Sequence, residues 1–424
     1  MRNLTGLTPI SILLIFILGG VSGCRQPPPR IGKIVGSSMS PTLRGSHYLV
    51  DCPGCGIQFG CDLEQADKRA SAICANCGTP ANRDRWTSKD ADPVTVVPNS
   101  EIQRWDIIAF QRRPSSDSTL NHGLMTKRVV GLPGESIQFE KGNLFANGAL
   151  IQKPLQLQKQ MRVLVCDSKF QSCPSLNWVL TPEDNWEFAN ETFQLRSPPI
   201  TGQFDWFDFR YQKNYFRSDD QQLESALEDF YGYNQSLSRK LNPMDEVFVE
   251  LNTRINDGGL AWRFGNQSEQ FEFRINGPMS EIQIFSGNPK KMPRKKLYKA
   301  LISPSLQINL STKIEFSSFD RILRVVVNDT ELWTHSLNHV TDELEQTILS
   351  FGANRVGVQF DRIRIWRDLY YFDSSEPRGE PNSEATTNAG FFVVGDNIPL
   401  SHDSRHWKAP RVAIESVKGK VFSQ

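Results

Sequence analysis

The chain has 424 residues and a formal net charge of +1, and this balance of charges gives no support for general nucleic-acid binding. Its length predicts two or three domains. The chain is therefore long enough for an enzyme body and additional modules.

The N-terminal segment is basic and then apolar. Residues 10–21 form an apolar stretch of only about a dozen residues, whereas a helix needs roughly 20 to span a bilayer. This length fits the hydrophobic region of a signal peptide better. The following Val21-Ser22-Gly23-Cys24 resembles a bacterial lipoprotein processing site. The alternative is an uncleaved membrane anchor, and both predict a body at the extracytoplasmic face of the cell membrane, in contact with membrane lipids.

A candidate nucleophile follows in Gly36-Ser37-Ser38-Met39-Ser40-Pro41. A serine hydroxyl is a poor nucleophile until a neighbouring base takes its proton. A segment of this composition is a turn in most proteins. Ser38 is therefore a catalytic candidate only if the chain also supplies a base.

Two cysteine pairs come next, Cys52 with Cys55 and Cys74 with Cys77. Eighteen residues separate the pairs, a spacing found in zinc ribbons. Four thiolates would close a tetrahedral structural zinc site and leave no open position for catalysis. We predict zinc, with disulfides as the alternative in an oxidising compartment. Cys61 is a spare ligand or a free thiol.

A candidate base lies in Lys127-Arg128-Val129-Val130, which predicts a strand buried on both faces. Lysine can replace histidine as the base of a serine nucleophile. It must then be neutral at the working pH, and burial in an apolar site lowers its pKa. The apolar neighbours of Lys127 could supply such a site.

The region 155–372 contains many short runs in which apolar and polar residues alternate, such as 247–251 and 323–327. This pattern predicts an antiparallel β-sandwich. Some runs resemble strands of concanavalin-like jelly rolls, which often bind glycans, so a glycan or protein ligand is an alternative to a purely structural role. Apolar residues at helical spacing in 223–230 predict one short helix. A local disulfide between Cys166 and Cys173 is also expected.

The C-terminal region begins with residues 373–390, which are rich in Ser, Pro, Glu and Asn and predict a flexible linker. Gly395-Asp396-Asn397 follows, and these residue types favour a tight turn. Ser401, Asp403 and Arg405 come directly after it.

The serine, lysine and Gly-Asp-Asn segments, in this order, resemble the bacterial type I signal peptidases. These are membrane-anchored serine proteases with a Ser-Lys dyad that cut signal peptides from exported preproteins. The resemblance implies a mainly β catalytic body with Ser38 as nucleophile and Lys127 as general base. It implies that Ser401 hydrogen-bonds and orients the lysine.

The resemblance also assigns supporting residues. Asp403 and Arg405 would form an ion pair beside the site, and Asp396 and Asn397 would shape the loop of Ser401. The backbone N–H of Ser38 is the expected first donor of the oxyanion hole.

Two positions depart from the family pattern. Gly36 stands where some relatives carry a serine hydroxyl as the second oxyanion donor, so that donor is unassigned. Trp105, in 104–110, stands where the family has a glycine before a scaffold strand.

The resemblance predicts an extracytoplasmic hydrolase that removes signal peptides from preproteins with small residues before the cut. Catalysis would need no cofactor. The alternative is a surface lipoprotein whose sandwich binds glycan or protein, with an inactive or narrow-substrate protease body. A His-based triad is a further alternative, although none of the six histidines lies in a motif that supports one.

The predicted division of the chain is 1–24 signal peptide or anchor, 25–51 body, 52–80 zinc ribbon, 100–152 body, 155–372 β-sandwich, 373–390 linker and 391–424 body.

Overall fold

The computed structural model describes residues 28–63, 70–111, 123–170, 178–180, 185–200, 202–213, 223–224, 226–234, 237, 239–266, 268–288, 294–337, 348–372 and 389–423. The predicted signal peptide or anchor, most of the predicted linker, and Cys173 lie outside these residues. Within them, no helix is long and apolar enough to span a membrane.

Most regular structure is β. The strands before the predicted sandwich are β1 Arg30–Lys33, β2 His47–Asp51, β3 Gln58–Asp62, β4 Ser71–Ile73, β5 Pro80–Asn82, β6 Trp86–Lys89, β7 Pro93–Val97, β8 Ile107–Phe110, β9 Met125–Gly131, β10 Ile137–Glu140, β11 Asn143–Ala146 and β12 Ala149–Leu150. The next elements are α1 Leu155–Met161, β13 Val163–Asp167, β14 Trp178–Val179, β15 Trp186–Ala189, β16 Thr192–Leu195, β17 Asp205–Phe209, β18 Gln212–Lys213, β19 Leu223–Glu224, β20 Leu227–Glu228 and β21 Pro243–Met244.

The remaining strands are β22 Val247–Ile255, β23 Gly259–Gly265, β24 Gln270–Asn276, β25 Glu281–Gly287, β26 Lys295–Leu301, β27 Ser311–Ser317, β28 Ile322–Val327, β29 Thr330–Ser336, β30 Ile348–Ala353, β31 Val358–Arg367, β32 Phe392–Val394 and β33 Val417–Ser423. Short 3₁₀ turns span Arg83–Arg85, Gly232–Asn234, Phe319–Arg321 and Ile414–Ser416. The prediction of a mainly β chain is confirmed.

One sheet joins parts of the chain that are far apart in sequence. Its strand order is β1-β7-β33-β8-β9-β32, and every pairing is antiparallel. Strand β9 is buried on both faces, because Val129 packs into one apolar cluster and Val130 into another. The sheet therefore forms one body from segments on both sides of the sandwich region.

The sandwich consists of two antiparallel sheets. One has the order β15-β16-β31-β22-β27-β28-β29, with β13 also paired to β31, and the other has the order β14-β17-β30-β23-β24-β25-β26. Aromatic rings fill the space between them: Trp262 stacks on Phe273 with ring centroids 4.8 Å apart, and Phe273 lies 5.0 Å from Phe316. The prediction of an antiparallel sandwich in this region is confirmed, and we call residues 155–372 the insert.

The helix predicted within residues 223–230 is wrong. Leu223–Glu224 and Leu227–Glu228 are short strands that pair with β18 and β21, respectively. Apolar spacing over eight residues cannot separate a helix from irregular short strands, and here pairing with the flanking strands β18 and β21 decides the conformation.

A buried ionic cluster ties the insert to the body. Lys153, just before the insert, forms ion pairs with Asp320 and with Asp368, at 2.8 Å for the latter, and its side chain is 1% exposed. The rings of Trp105 and Tyr371 also face its ammonium group, at 5.6 and 5.7 Å. Lys153 thus links the segment just before the insert to Trp105 of the body and to the sandwich and the end of the insert.

Candidate functional site

The segment 36–45, which we call the nucleophile loop, holds Ser38 in a compact turn. The N–H of Ser40 donates to the carbonyl of Ser37 at 3.1 Å, and the N–H of Leu43 donates to that of Met39 at 2.9 Å. Met39 and Leu43 are each 1% exposed and anchor the loop in the core of the body. Ser38 itself is half-buried, so part of the residue remains in contact with solvent.

Lys127 lies on β9 with its Nζ 2.7 Å from Oγ of Ser38, a hydrogen-bond distance. Its side chain is buried, with only 3% exposed. Burial disfavours the charged form and lowers the pKa of Lys127 to about 8; Asp403 opposes this shift and Arg405 adds to it. The structure thus places next to the serine an amine that is partly neutral near neutral pH.

Asp403 and Arg405 form a buried ion pair at 2.8 Å, with side chains 0% and 1% exposed. Burial alone would raise the pKa of Asp403, but hydrogen bonds with His406 and Arg405 hold it well below its usual value. Its carboxylate also accepts from the N–H of Gly395 at 3.0 Å. Because Arg405 largely offsets its charge, Asp403 does not hold Lys127 in the charged form.

Ser401 is buried beside the site but does not make the contact predicted for it. A Cβ on Gly395 would overlap both the Ser401 hydroxyl and the carbonyl oxygen of Ser38, so these groups pack closely around the glycine. Among the described residues, the Oγ of Ser401 has no hydrogen-bond partner. The predicted bond from Ser401 to Lys127 is therefore absent, and Ser38 is the side-chain partner of the lysine.

Asp396 and Asn397 have distinct contacts. Asp396 accepts two hydrogen bonds from Arg128, at 2.7 and 2.6 Å, which locks its loop to β9 one residue from Lys127. Asn397 is fully buried; its side-chain amide donates to the carbonyl of Ser37 at 3.1 Å, and its N–H donates to that of Ser38 at 3.1 Å. The loop that contains Asp396 and Asn397 thus holds the nucleophile loop as well as Ser401.

Gly36 begins the nucleophile loop with a φ of +76°, in the left-handed region that favours glycine. Its carbonyl accepts from the N–H of Gly45 at 3.0 Å and closes the loop. The structure thus gives Gly36 a backbone role.

Trp105 has a φ of +76°, a strained value for a bulky residue. Its ring packs against Tyr371 with centroids 6.4 Å apart, and its carbonyl accepts from Arg128 at 2.7 Å. This observation explains why a glycine suits the position in the family pattern. Here the aromatic packing at the body–insert junction offsets the strain.

The four predicted metal ligands meet in one buried cluster, with all sulfur atoms within 4.8 Å of one another. Cys52 Sγ lies 3.5 Å from Cys77 Sγ, and Cys55 Sγ lies 3.7 Å from Cys74 Sγ. A disulfide needs sulfurs about 2.05 Å apart, so these distances do not fit disulfides. They do fit the edges of a tetrahedron around a metal with bonds of about 2.3 Å.

Two knuckles present these thiols. The N–H of Gly56 donates to the carbonyl of Cys52, and the N–H of Gly78 donates to that of Cys74, each at 3.0 Å. Both glycines have positive φ, +73° and +77°. Hydrogen bonding among the sulfurs lowers the pKa of Cys77 and raises that of Cys74 well above its usual value, because neighbouring thiols resist ionising together.

Two further cysteines and two histidines in the described part of the chain have contacts of their own. Cys61 is buried in β3, and Cys166 is disulfide-bonded. His402 stacks on His406 with centroids 5.3 Å apart, and its Nδ1 is 3.0 Å from the indole nitrogen of Trp407. The Nδ1 of His406 lies 3.6 Å from the carboxylate of Asp403, so these two histidines border the site.

Sequence reasoning missed two residues. Arg128 was quoted only as a neighbour of Lys127, although an arginine in an apolar strand is a signal for a buried carboxylate partner. Asn234, in the insert, donates from its side chain to Oδ1 of Asn397 at 2.8 Å. No local pattern marks it, because this contact joins residues 163 positions apart.

Several solved structures resemble part of this chain at low identity. Bacillus licheniformis β-glucanase is 9% identical, covering 49% of this chain and 98% of that one, with a TM-score of 0.31. The carbohydrate binding module CBM66 from Bacillus subtilis is 10% identical, covering 45% and 92%, with a TM-score of 0.26. Caenorhabditis elegans galectin LEC-6 is 13% identical, covering 28% and 82%, with a TM-score of 0.23. Such low scores carry no argument about a ligand.

No curated protein matches the chain. A family model does match: residues 12–195 fit the family described as signal peptidase, peptidase S26. The matched range includes the nucleophile loop, the cysteine cluster and β9. The match supports a peptidase domain of the signal peptidase family in this chain.

Proposed function

We propose that this protein is a serine endopeptidase with a Ser38–Lys127 dyad that removes signal peptides from exported preproteins. The observation that carries the proposal is the 2.7 Å contact between Nζ of a buried lysine and Oγ of a half-exposed serine. The order of motifs and the family match support it.

The dyad acts through the neutral amine. With a pKa of about 8, roughly a tenth of Lys127 is neutral at pH 7. The neutral amine accepts the Ser38 proton as Oγ attacks the scissile carbonyl carbon, and the resulting ammonium then protonates the leaving amine. Water next attacks the acyl-enzyme, gives its proton to Lys127, and Ser38 is released with its proton restored.

The negative oxygen of the tetrahedral intermediate needs donors aimed at it. We assign the N–H of Ser38 as the first donor. The carbonyl of Ser37 belongs to the same planar peptide group, and Asn397 holds it in place. Asn397 therefore fixes the direction of the Ser38 N–H.

A protease body without catalytic activity would not need a buried lysine beside Ser38. A buried lysine with a lowered pKa costs folding free energy, and an apolar residue of similar length would avoid that cost. The retained Lys127 therefore favours an active enzyme over the alternative of a binding lipoprotein with an inactive protease body. Substrates would bind extended along a strand edge, with small residues before the cut, at the extracytoplasmic face of the cell membrane.

We further propose that Cys52, Cys55, Cys74 and Cys77 hold a structural zinc ion, which would neutralise thiolates that cannot ionise together unaided. The purified protein should contain one zinc per chain by elemental analysis, and Cys55→Ser should lower both zinc content and Tm. Cys61→Ser, which removes a cysteine outside the four-residue cluster, should change neither quantity. Full stability without metal, with the thiols reduced, would contradict this site.

The peptidase itself is tested with a preprotein that carries alanines before its cut site, in detergent with lipid. Wild type should release the mature protein, and Ser38→Ala should not, while keeping the wild-type Tm and zinc content. If Ser38→Ala cleaves at the wild-type rate, Ser38 is not the nucleophile. If the wild type itself fails to cleave this and other preproteins, the proposed function is wrong.

A further inference from the structure

The insert sends one short turn into the catalytic body. The 3₁₀ turn Gly232–Asn234 lies between β20 and β21, and all three residues are buried. A Cβ on Gly232 would lie 2.6 Å from the carbonyl oxygen of Gly60, and a Cβ on Gly60 would overlap the ring of Tyr233. Two facing glycines thus let the turn dock closely against β3, the strand that follows the first cysteine pair.

Asn234, at the end of this turn, reaches the nucleophile loop through one intermediate residue. Its side chain donates to Oδ1 of Asn397 at 2.8 Å, and the amide of Asn397 donates to the carbonyl of Ser37 at 3.1 Å. Asn234 is 4% exposed and Asn397 is fully buried, so water cannot readily replace either bond.

The Ser37 carbonyl determines how the side-chain amides of Asn397 and Asn234 are oriented. A carbonyl oxygen can only accept, so the NH₂ group of Asn397 must face Ser37. Oδ1 of Asn397 must then accept, and Asn234 must present its NH₂ group. The Oδ1 of Asn234 has no partner among the described residues, so donation to Asn397 is the hydrogen bond that its side chain supplies.

We infer that Asn234 is a positioning residue: from the insert, it holds Asn397 in the orientation that fixes the Ser37–Ser38 peptide and thereby aims the Ser38 N–H at the oxyanion. This inference rests on the proposed function. It makes the insert part of the catalytic apparatus, because cleavage then requires the turn to stay docked on β3 and Asn397.

The physical consequence is specific to the transition state. Without the Asn234 donor, Oδ1 of Asn397 is buried and unpaired, which favours other side-chain orientations of Asn397. The Ser37 carbonyl then keeps only the hydrogen bond from the N–H of Ser40, and the Ser37–Ser38 peptide samples other directions. Donors aimed at the developing charge act mainly in the transition state, so kcat should fall while KM changes little.

The test uses the full chain with Asn234→Ala and Asn234→Leu. Leucine keeps the branched shape without any polar atom, so it remains informative if the alanine variant folds poorly. Asn242→Ala is the matched control, because Asn242 lies near the same turn and its side chain donates instead to Asp229, at 2.8 Å. Cleavage kinetics are measured with the alanine-containing preprotein, and amide hydrogen exchange is measured for the peptide that covers residues 36–43.

Both Asn234 variants should lower kcat by roughly 10- to 100-fold, with KM within about twofold of wild type. This is less than the roughly 10²- to 10³-fold cost of removing an oxyanion donor, because the Ser38 N–H is misdirected and not removed. Their pH–rate midpoint should stay unchanged, because Lys127 is untouched. Exchange in residues 36–43 should become faster, and Asn242→Ala should match wild type. Unchanged kcat and unchanged exchange in both folded variants would overturn the inference.

Failure of the peptidase proposal would be seen separately. If wild type cleaves nothing, hydrogen exchange alone decides whether Asn234 holds the nucleophile loop. Faster exchange in both Asn234 variants supports the coupling, and unchanged exchange overturns it.

Discussion

Two buried lysines behave in opposite ways in this protein. Lys127, in the body, is 3% exposed, and the carboxylates that act on it, Asp403 and Asp396, each pair with an arginine. Lys153, at the junction with the insert, is 1% exposed and sits between Asp320 and Asp368. Burial is the same, but the pKa of Lys127 is lowered to about 8, whereas the carboxylates raise the pKa of Lys153 well above its usual value despite burial.

The difference shows what makes a buried lysine chemically useful. Desolvation disfavours the ammonium form at both positions, and only a directly paired carboxylate reverses the effect. Lys153 is a permanent cation that joins three chain segments. At Lys127 the arginines Arg405 and Arg128 take up the nearby negative charge, so the amine can lose its proton and act as a base.

The largest expected effect comes from Lys127→Met. Cleavage of the preprotein should fall by about 10⁴-fold or more, since loss of one member of a nucleophile–base pair removes most of its function. The variant should at the same time be more stable than wild type at pH 7, because no ammonium is buried. Tm by calorimetry and single-turnover cleavage check both statements.

The stability gain has a defined pH dependence. A folded-state pKa below the unfolded value means that the unfolded chain binds more protons between about pH 8 and 10.5, so wild-type stability rises with pH in that window. Lys127→Met should lack this rise. A lower Tm than wild type at pH 7 would show that the lysine is stabilised by partners that we have not recognised.

The same substitution at the other lysine should have the opposite effect on stability. Lys153→Met leaves Asp320 and Asp368 buried without their cation and should cost about 3–5 kcal/mol of unfolding free energy. Part of this loss should be recovered at pH 5, where Asp368, whose pKa burial raises to about 6 even with Lys153 present, takes up a proton. Denaturant unfolding at pH 5 and pH 8 measures the difference.

Equal destabilisation by Lys127→Met and Lys153→Met would contradict the proposed difference between the two buried lysines. So would a Lys153→Met protein with wild-type stability at pH 8, because the cluster would then contribute nothing at the junction. Gln152→Ala separates the ionic contribution from a neighbouring one, since Gln152 donates to the backbone carbonyl of Asp320 at 3.4 Å and leaves the ammonium group unchanged.

The smallest expected effect is on the pH–rate profile of the wild type. kcat/KM should rise about tenfold per pH unit below pH 8 and level off above it, because only the neutral form of Lys127 accepts the Ser38 proton. Lys153 stays charged throughout and adds no second inflection. A flat profile between pH 6 and 9 would argue against Lys127 as the base.

Several residues of the candidate site could be predicted from short sequence motifs. Ser38 and Lys127 could be found from the sequence because their segments and the Gly-Asp-Asn segment occur together, in the order of the family that they resemble. The four cysteines could be found because their spacing suits a zinc ribbon. The structure brings Ser38 to Lys127 and gathers the four thiols. The sandwich could be predicted because alternating strands have a clear period, whereas the short strands at 223–228 have none.

The polar contacts that link segments could not be predicted in this way. The Ser401 hydroxyl was assigned to the lysine, yet it makes no hydrogen bond among the described residues. Arg128 with Asp396, Lys153 with its two aspartates, and Asn234 with Asn397 each join residues more than 100 positions apart. Such pairs leave no periodic or local signal.

The sequence by itself determined which residues can do chemistry and which segments form strands, because nucleophiles, thiols and period-two patterns are properties of neighbouring residues. The tertiary structure decided the protonation of the two lysines and the support of the nucleophile loop. Those depend on burial and on partners brought together across the insert, since the free energy of a charge in a protein is set by what surrounds it and not by what precedes it in the chain.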